Sequence, residues 1–227
     1  QVRWYGLNKE ADWRATDLQP NRAGGIDFVV SCNGSTVGLV RLRVPGRHNV
    51  LNAMATIVVA DWLGIPFETT RAALTEFRGV GRRFEIKGEA SGVTVVDDYA
   101  HHPTEIEAVL SAARQAFPDR RLVVVFQPHL YSRTREFADG FARALLGAER
   151  VVVLPVYPAR EAPIDGVDES LVVNAARTFG HPAIAAGPEV GRASNTVDGI
   201  VEEGDVLLTL GAGDVYRVAE DWLGGAA

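Results

Sequence analysis

The stretch "VVDDYAHHPTEIEAVL", residues 95–110, decides the fold. Gly92–Asp98 reads as a strand that runs straight into a polar turn. From Pro103 onward, Ile106, Val109, Leu110 and Ala113 fall at i, i+3, i+4 and i+7, which is one face of an amphipathic helix, and Pro118 stops it. Between strand and helix, Asp97, Asp98, Tyr99, His101 and His102 crowd into one turn. The rest of the chain has to explain why residues with this chemistry collect there.

The same unit recurs downstream. "RLVVVF", 121–126, is a continuous apolar run, as expected of a strand buried on both faces of a parallel sheet. A helix over 134–146, the strand "RVVVLPV", a helix over 169–179, a short strand at "PAIAA", a helix over 189–202, the strand "DVLLTL" and a last helix over 214–223 follow. Such alternation implies right-handed crossovers and an open, doubly wound, mostly parallel α/β sheet. In that architecture the strand-to-helix loops leave at one edge, where ligands bind. "DDYAHHP", "QPHLYSR", "VYPAREAP" and "GAGD" are all such loops. The pattern therefore predicts that Asp98, Tyr99, His101, His129, Arg133, Tyr157, Arg160 and Asp214 share one rim.

Upstream, the character changes. Residues 1–44 are β-rich: "ADWRATDL", Ile26–Cys32 and Thr36–Val44 read as strands, and "NGS" marks a hairpin with Gly34 able to take positive φ. Residues 49–63 switch to a helical period, with Asn49 expected as N-cap and Gly64 just past the end. Pro66 opens a second short helix to about Phe77. "RGVGRRFEIKGE", 78–89, is glycine-rich without an apolar period and reads as a linker suited to a hinge.

Composition narrows the function classes. A chain of 227 residues, 47% apolar, can bury a sizeable core. Its net charge of −6 argues against a nucleic-acid partner. Cys32 is the one cysteine, which excludes an internal disulfide or a cysteine-rich zinc site and fits a cytoplasmic setting. No apolar run nears the ~20 residues that span a bilayer, so no membrane partner is expected. The chain starts at Gln1 and its one methionine is Met54, so it reads as a piece of a longer polypeptide.

Each motif alone has an ordinary reading. Asp97 or Asp98 could cap the next helix, His101 and His102 could be surface histidines, and Arg133 could pair with Glu136 along a helix face. "GAGD" lacks the third glycine of a dinucleotide fingerprint, which disfavours a nicotinamide dehydrogenase. Ser132 is not in a G-x-S-x-G elbow, and neither Lys9 nor Lys87 sits in a P-loop. The coincidence of four loops at one edge favours a site. Arginines near helix N-termini suit anionic ligands, while histidines and aspartates suit Mg²⁺-assisted phosphate chemistry or proton transfer. A separate polar edge lies in "GRHNVLNA", 46–53: Asn49 and Asn52 share a helix face beside His48, and a side-chain amide can both donate to and accept from a purine.

"GRHNVLNA", "GVGRRFE", "DDYAHHPTE", "FQPHLYSRTREF", "VYPAREAPI" and "GAGD", in this order, resemble the Mur ligases over essentially the whole chain. The resemblance is to the branch that joins L-alanine to UDP-N-acetylmuramate, with a cell-wall-recycling murein peptide ligase as the alternative within the family. It implies that residues 1–80 are the end of a central ATP-binding domain whose P-loop portion is missing. Residues 83–227 would be the C-terminal Rossmann-like domain, and the N-terminal half of the same enzyme would be the missing partner. It implies an ATP- and Mg²⁺-dependent ligase of peptidoglycan precursor synthesis. There the lactyl carboxylate becomes an acyl phosphate that the alanine amine attacks, and the fragment is inactive alone. By the same resemblance, His48, Asn49, Asn52, Arg83 and Asp98 lie on the ATP side. Tyr99, His129 and Arg133 hold L-alanine, Arg133 and His101 act catalytically with His101 near the phosphates, and no metal ligand is assigned on this chain. Leu130 stands where many members carry arginine, leaving Arg133 with Arg135 as helper, and Ala100 replaces a common glycine. The reading from another class is a stand-alone nucleotide-binding module without catalysis.

Overall fold

The computed structural model describes residues 2–225, which divide into two compact units, one running up to Gly79 and the other from Val80 onward. The division falls inside the glycine-rich stretch expected to link them.

In the first unit, β1 (Tyr5–Gly6), β2 (Trp13–Pro20), β3 (Ile26–Cys32) and β4 (Ser35–Arg41) form one sheet in that order. β1 runs parallel to β2 and the other pairs are antiparallel. The β3–β4 hairpin turns on Asn33 (φ 47°) and Gly34 (φ 84°), the two positive-φ residues that a tight hairpin loop demands. Helices α1 (Arg47–Trp62) and α2 (Phe67–Glu76) close a core around Phe28, Val30, Val40, Met54 and Ile57. Gly64 ends α1 as expected, with φ 75°; its N–H bonds Asp61 O and that of Ile65 bonds Ala60 O. Asn49 is not the N-cap. The helix begins earlier, with Gly46 (φ 95°) in that place, and the Asn49 amide reaches back to the Pro45 carbonyl at 2.7 Å. Glycine at φ 95° supplies the turn that asparagine was expected to make.

The second unit is built from β5 (Glu85–Ala90), β6 (Val93–Asp98), α3 (Pro103–Ala116), β7 (Leu122–Phe126), α4 (Tyr131–Leu145), β8 (Arg150–Val153), α5 (Glu169–Thr178), β9 (Ile184–Ala186), α6 (Val190–Asp198), β10 (Val206–Leu210) and α7 (Tyr216–Gly225). The strand order is β5-β6-β10-β7-β8-β9, parallel throughout except for antiparallel β5. Alternate strand residues enter opposite cores, as a period of two requires. Val96, Val124, Phe126, Leu208 and Leu210 join Ile106, Phe141 and Val172 of α3, α4 and α5 on one face. Val95, Val123, Val125 and Leu207 join Ala193, Val218 and Trp222 of α6 and α7 on the other. The sheet is thus doubly wound, and β10 returns between β6 and β7.

Four further expectations need correction. Residues 85–90 are not linker but edge strand β5, which offers Ile86 as its one large apolar residue and carries a bulge before Gly88 (φ 156°). α4 begins at Tyr131 rather than 134, and α6 stops at Asp198 rather than 202. Strand β4 also stops at Arg41, short of Val44.

Arg82, within the expected linker, is bound into the sheet. Its Nε donates to Asp97 Oδ2 at 2.9 Å, its Nη1 to Gly213 O at 3.0 Å and its Nη2 to Gly211 O at 2.7 Å. The Asp97 side chain is 1% exposed and also accepts from Thr209 Oγ1 at 2.7 Å. Replacing Arg82 with methionine strands this buried carboxylate, and should cost about 3 kcal/mol. Urea denaturation read by hydrogen exchange of the β6 and β10 amides measures it.

Candidate functional site

The four loops do meet. The ring of His101, after β6, lies 5.9 Å from that of His129, after β7, and 5.2 Å edge-on from Tyr99. His129 stacks on Tyr157, after β8, at 5.6 Å and 13°. Backbone bonds between Leu130 N and Tyr157 O, and between Tyr157 N and Pro128 O, hold the loops after β7 and β8 together. Gly213, after β10, packs so closely that an added Cβ would lie 2.4 Å from Gln127 Oε1 and 2.6 Å from Tyr157 Cγ. Only glycine fits there. Asp214 accepts from Gln127 Nε2 at 3.0 Å.

Local chemistry fixes each member. His102 caps α3: its ring accepts from Thr104 N, while Glu105 accepts from the N–H groups of His101 and His102. Neither aspartate is that cap. His101 Nδ1 lies 2.8 Å from the Tyr99 carbonyl, which can only accept, so Nδ1 is the donor, and in the neutral ring that leaves Nε2 to accept. Asp98 is 4% exposed and accepts from Phe84 N and Ala100 N, each at 2.7 Å. Burial pushes its pKa up to about 6; the two amides and Arg83 pull it down, and Asp97 adds to the rise. Ala100 takes no positive φ, so the missing glycine costs nothing there.

His129 and Arg133 form the polar heart of the rim. His129 Nδ1 and Arg133 Nη1 are buried without a hydrogen-bond partner in the structure. The His129 pKa is lowered by burial first, then by Arg133 and His101, against a raising contribution from Glu161. Its imidazole is therefore neutral at neutral pH. No Arg133–Glu136 ion pair forms among the described residues. Arg82 and Arg83 both cover the Tyr99 ring, with guanidinium carbons 5.1 and 5.5 Å from its centroid.

Tyr99, His101, His129, Tyr157 and Asp214 are thus brought together, with Arg133 beside His129. Arg135 and Arg160 are exposed. His48, Asn49 and Asn52 lie on the first turns of α1 in the other unit, where Asn52 Nδ2 reaches Asn49 Oδ1 at 3.4 Å. Sequence reasoning missed Arg82, Gln127 and Glu161. The first hid in an expected linker, and the others lay inside quoted motifs as neutral or unremarkable neighbours. Among the described residues there is no group of three or more His, Cys, Asp or Glu that could hold a metal ion. No helix among them is long and apolar enough to cross a membrane.

Two titrations follow. His129 should titrate below 6.5 by NMR, and Arg133→Ala should raise its midpoint while leaving it below 6.5, because burial is the larger cause. Asp98, raised from 3.8 to about 6, binds its proton more tightly when folded. Its contribution to stability is full below 3.8 and is lost as pH rises through about 6. The stability margin of the wild type over Asp98→Asn should therefore shrink across that window, as pH-resolved denaturation measures.

A family model described as Mur ligase, glutamate ligase domain, matches residues 82–213. The chain belongs to the Mur ligase family. It is similar to UDP-N-acetylmuramate–L-alanine ligases from Desulfatibacillum aliphaticivorans, 46% identical over 96% of this chain and 48% of that protein, and from Salinibacter ruber, 49% identical over 97% and 46%. Among solved structures, UDP-N-acetylmuramate-alanine ligase from Thermotoga maritima aligns with a TM-score of 0.82 at 32% identity, over 97% of this chain and 47% of its own. A murein peptide ligase from Psychrobacter arcticus aligns at 0.69 with 24% identity, over 98% and 46%, a likeness of fold. The chain spans about half the length of the curated relatives it matches.

Proposed function

We propose that the chain works as part of an ATP-dependent ligase that joins L-alanine to UDP-N-acetylmuramate in peptidoglycan precursor synthesis. The observation that carries this reading is the pair of orphaned buried atoms, His129 Nδ1 and Arg133 Nη1, at the rim of a sheet like that of the Thermotoga maritima ligase. A buried guanidinium N–H without an acceptor is costly, and the carboxylate of a bound amino acid supplies one. In this reading Arg133 grips the alanine carboxylate, with Tyr99 and His129 shaping the pocket. The neutral His129 avoids adding a second cation, and His101 offers Nε2 as an acceptor toward the reacting groups. Phosphorylation turns the lactyl carboxylate of the co-substrate into an electrophile that the amine can attack.

On the nucleotide side, His48, Asn49 and Asn52 would match the family's adenine-side motif, and Arg83 would lie on the ATP side. Asp98 would meet the ribose with the lone pairs that Phe84 and Ala100 leave free. The family's Mg²⁺ requirement is kept in the reading, and no step is assigned to it through this chain. Residues 1–80 are read as the end of a central ATP-binding domain, residues 83–227 as the C-terminal domain, and the working enzyme as cytoplasmic, where ATP is made.

The test is a chimaera in which this chain replaces the corresponding half of the Salinibacter ruber ligase. It should form amide from L-alanine, while this chain alone should show no turnover. Arg133→Ala in the chimaera should lower kcat/KM for alanine by about 100-fold, since a charge-assisted carboxylate contact is worth about 3 kcal/mol. Normal alanine kinetics would overturn the role of Arg133. Use of a peptide in place of alanine would shift the reading to the recycling ligase.

A further inference from the structure

α4 starts without a cap of its own. Leu130 occupies the N-cap position at φ 72°, in the left-handed region, and its side chain has no acceptor to offer. Such a helix leaves its first N–H groups unsatisfied unless something else reaches them. Glu161, on the loop after β8 and 29 residues away, does so: Oε2 accepts from Ser132 N at 2.9 Å and Oε1 from Ser132 Oγ at 2.5 Å. The Tyr131 amide adds to these, and together the donors hold the Glu161 carboxyl below the usual glutamate range. Ser132 is the residue immediately before Arg133, and Glu161 is also close enough to His129 to act on its charge.

We infer that Glu161 is the positioning residue of the rim: it caps α4 from a distant loop and so sets the placement of Arg133 and the charge environment of His129. A strained leucine entry is tolerable because the carboxylate pins the turn from outside, and strain of this kind gathers at functional sites. The carboxylate also meets the positive end of the α4 dipole, which reinforces the clasp. The groups facing His129 are Arg133 on α4, His101 after β6, and Tyr157 and Glu161 after β8; Asp214 after β10 is engaged by Gln127. Among these Glu161 is the anion acting on the imidazole, so its loss has a readable sign.

The capping geometry stands by itself; the role toward substrate rests on the function proposed above, and the test separates them. In this chain, NMR would follow the His129 titration and the exchange of the Ser132 amide in wild type, Glu161→Gln and Glu161→Ala. Both variants should lower the His129 midpoint. Exchange of Ser132 should rise on the order of tenfold in Glu161→Ala and less in Glu161→Gln, whose amide oxygen still accepts. An unchanged midpoint in Glu161→Gln, or unchanged exchange in Glu161→Ala, overturns the assignment. In the ligase chimaera, Glu161→Ala should raise KM for alanine on the order of tenfold with a smaller effect on kcat, and Glu161→Gln should recover part of it. A normal alanine KM in Glu161→Ala, in an enzyme where Arg133→Ala raises it, overturns the positioning role. If Arg133→Ala is normal as well, the alanine reading fails, and the NMR measurements decide on Glu161 alone.

Discussion

The carboxylate of Asp97 holds the second unit's functional edge in place. It sits at the end of β6 with no exposed surface, where a lone negative charge would be strongly disfavoured. Thr209 on β10 and Arg82 resolve that cost, and the guanidinium uses its remaining donors on the carbonyls of Gly211 and Gly213. One ion pair therefore joins the entry to β5, the end of β6, the end of β10 and the glycine loop beyond it. Such a pair adds little net stability over an apolar substitute, but it specifies a geometry that an apolar contact would leave loose. Asp98 repeats the device one residue later, tying the Phe84 amide to the Ala100 amide. Both aspartates of the opening turn are clasps first.

From the clasp outward, the rim is assembled by packing and backbone bonds. Gly213 brings its backbone against Gln127 and Tyr157, closer than any side chain would allow. Tyr157 then supports His129, and His129 meets His101 and Tyr99. This chain of rings is stiff, since each ring has few torsions and backbone bonds tie the loops after β7 and β8 together. A stiff frame is what lets a single arginine be held with a buried N–H unpaired: the frame fixes the donor before a ligand arrives, and pre-organisation of that kind lowers the cost of binding.

The elements that the sequence disclosed are those whose signal is local. The continuous apolar runs 122–126 and 206–210, the period of α3, and the Asn33–Gly34 turn all carry their structure in adjacent residues. Convergence of the loops after β6, β7, β8 and β10 was legible too, because parallel topology alone dictates it. The misses share the opposite character. β5 is an edge strand whose partner, β6, supplies most of the pairing signal, and its own residues are largely polar. α4 begins at Tyr131 behind a leucine that offers no cap, and the carboxylate that meets its Ser132 amide, Glu161, lies far along the chain. Arg82 looked like linker because its partners lie 15 and about 130 residues away. Long-range polar contacts leave no periodicity to read.

That contrast explains how the site's chemistry is divided. Residues that would touch a ligand, such as His129, Tyr99 and His101 in loops and Arg133 in the first turn of α4, sit where unusual composition betrays them. Residues that aim them, such as Asp97, Arg82 and Glu161, are ordinary charged residues in sequence and acquire their role only when the fold closes. The structure spends its buried charge on the second group: Asp97 and Asp98 are satisfied within the chain, whereas Arg133 Nη1 and His129 Nδ1 are not. A fold that satisfies its supports and leaves its contact groups unpaired is arranged for an incoming acceptor. In the proposed reading the alanine carboxylate would answer these unpaired atoms, with the lowered pKa of His129 leaving Arg133 as the cation of the two.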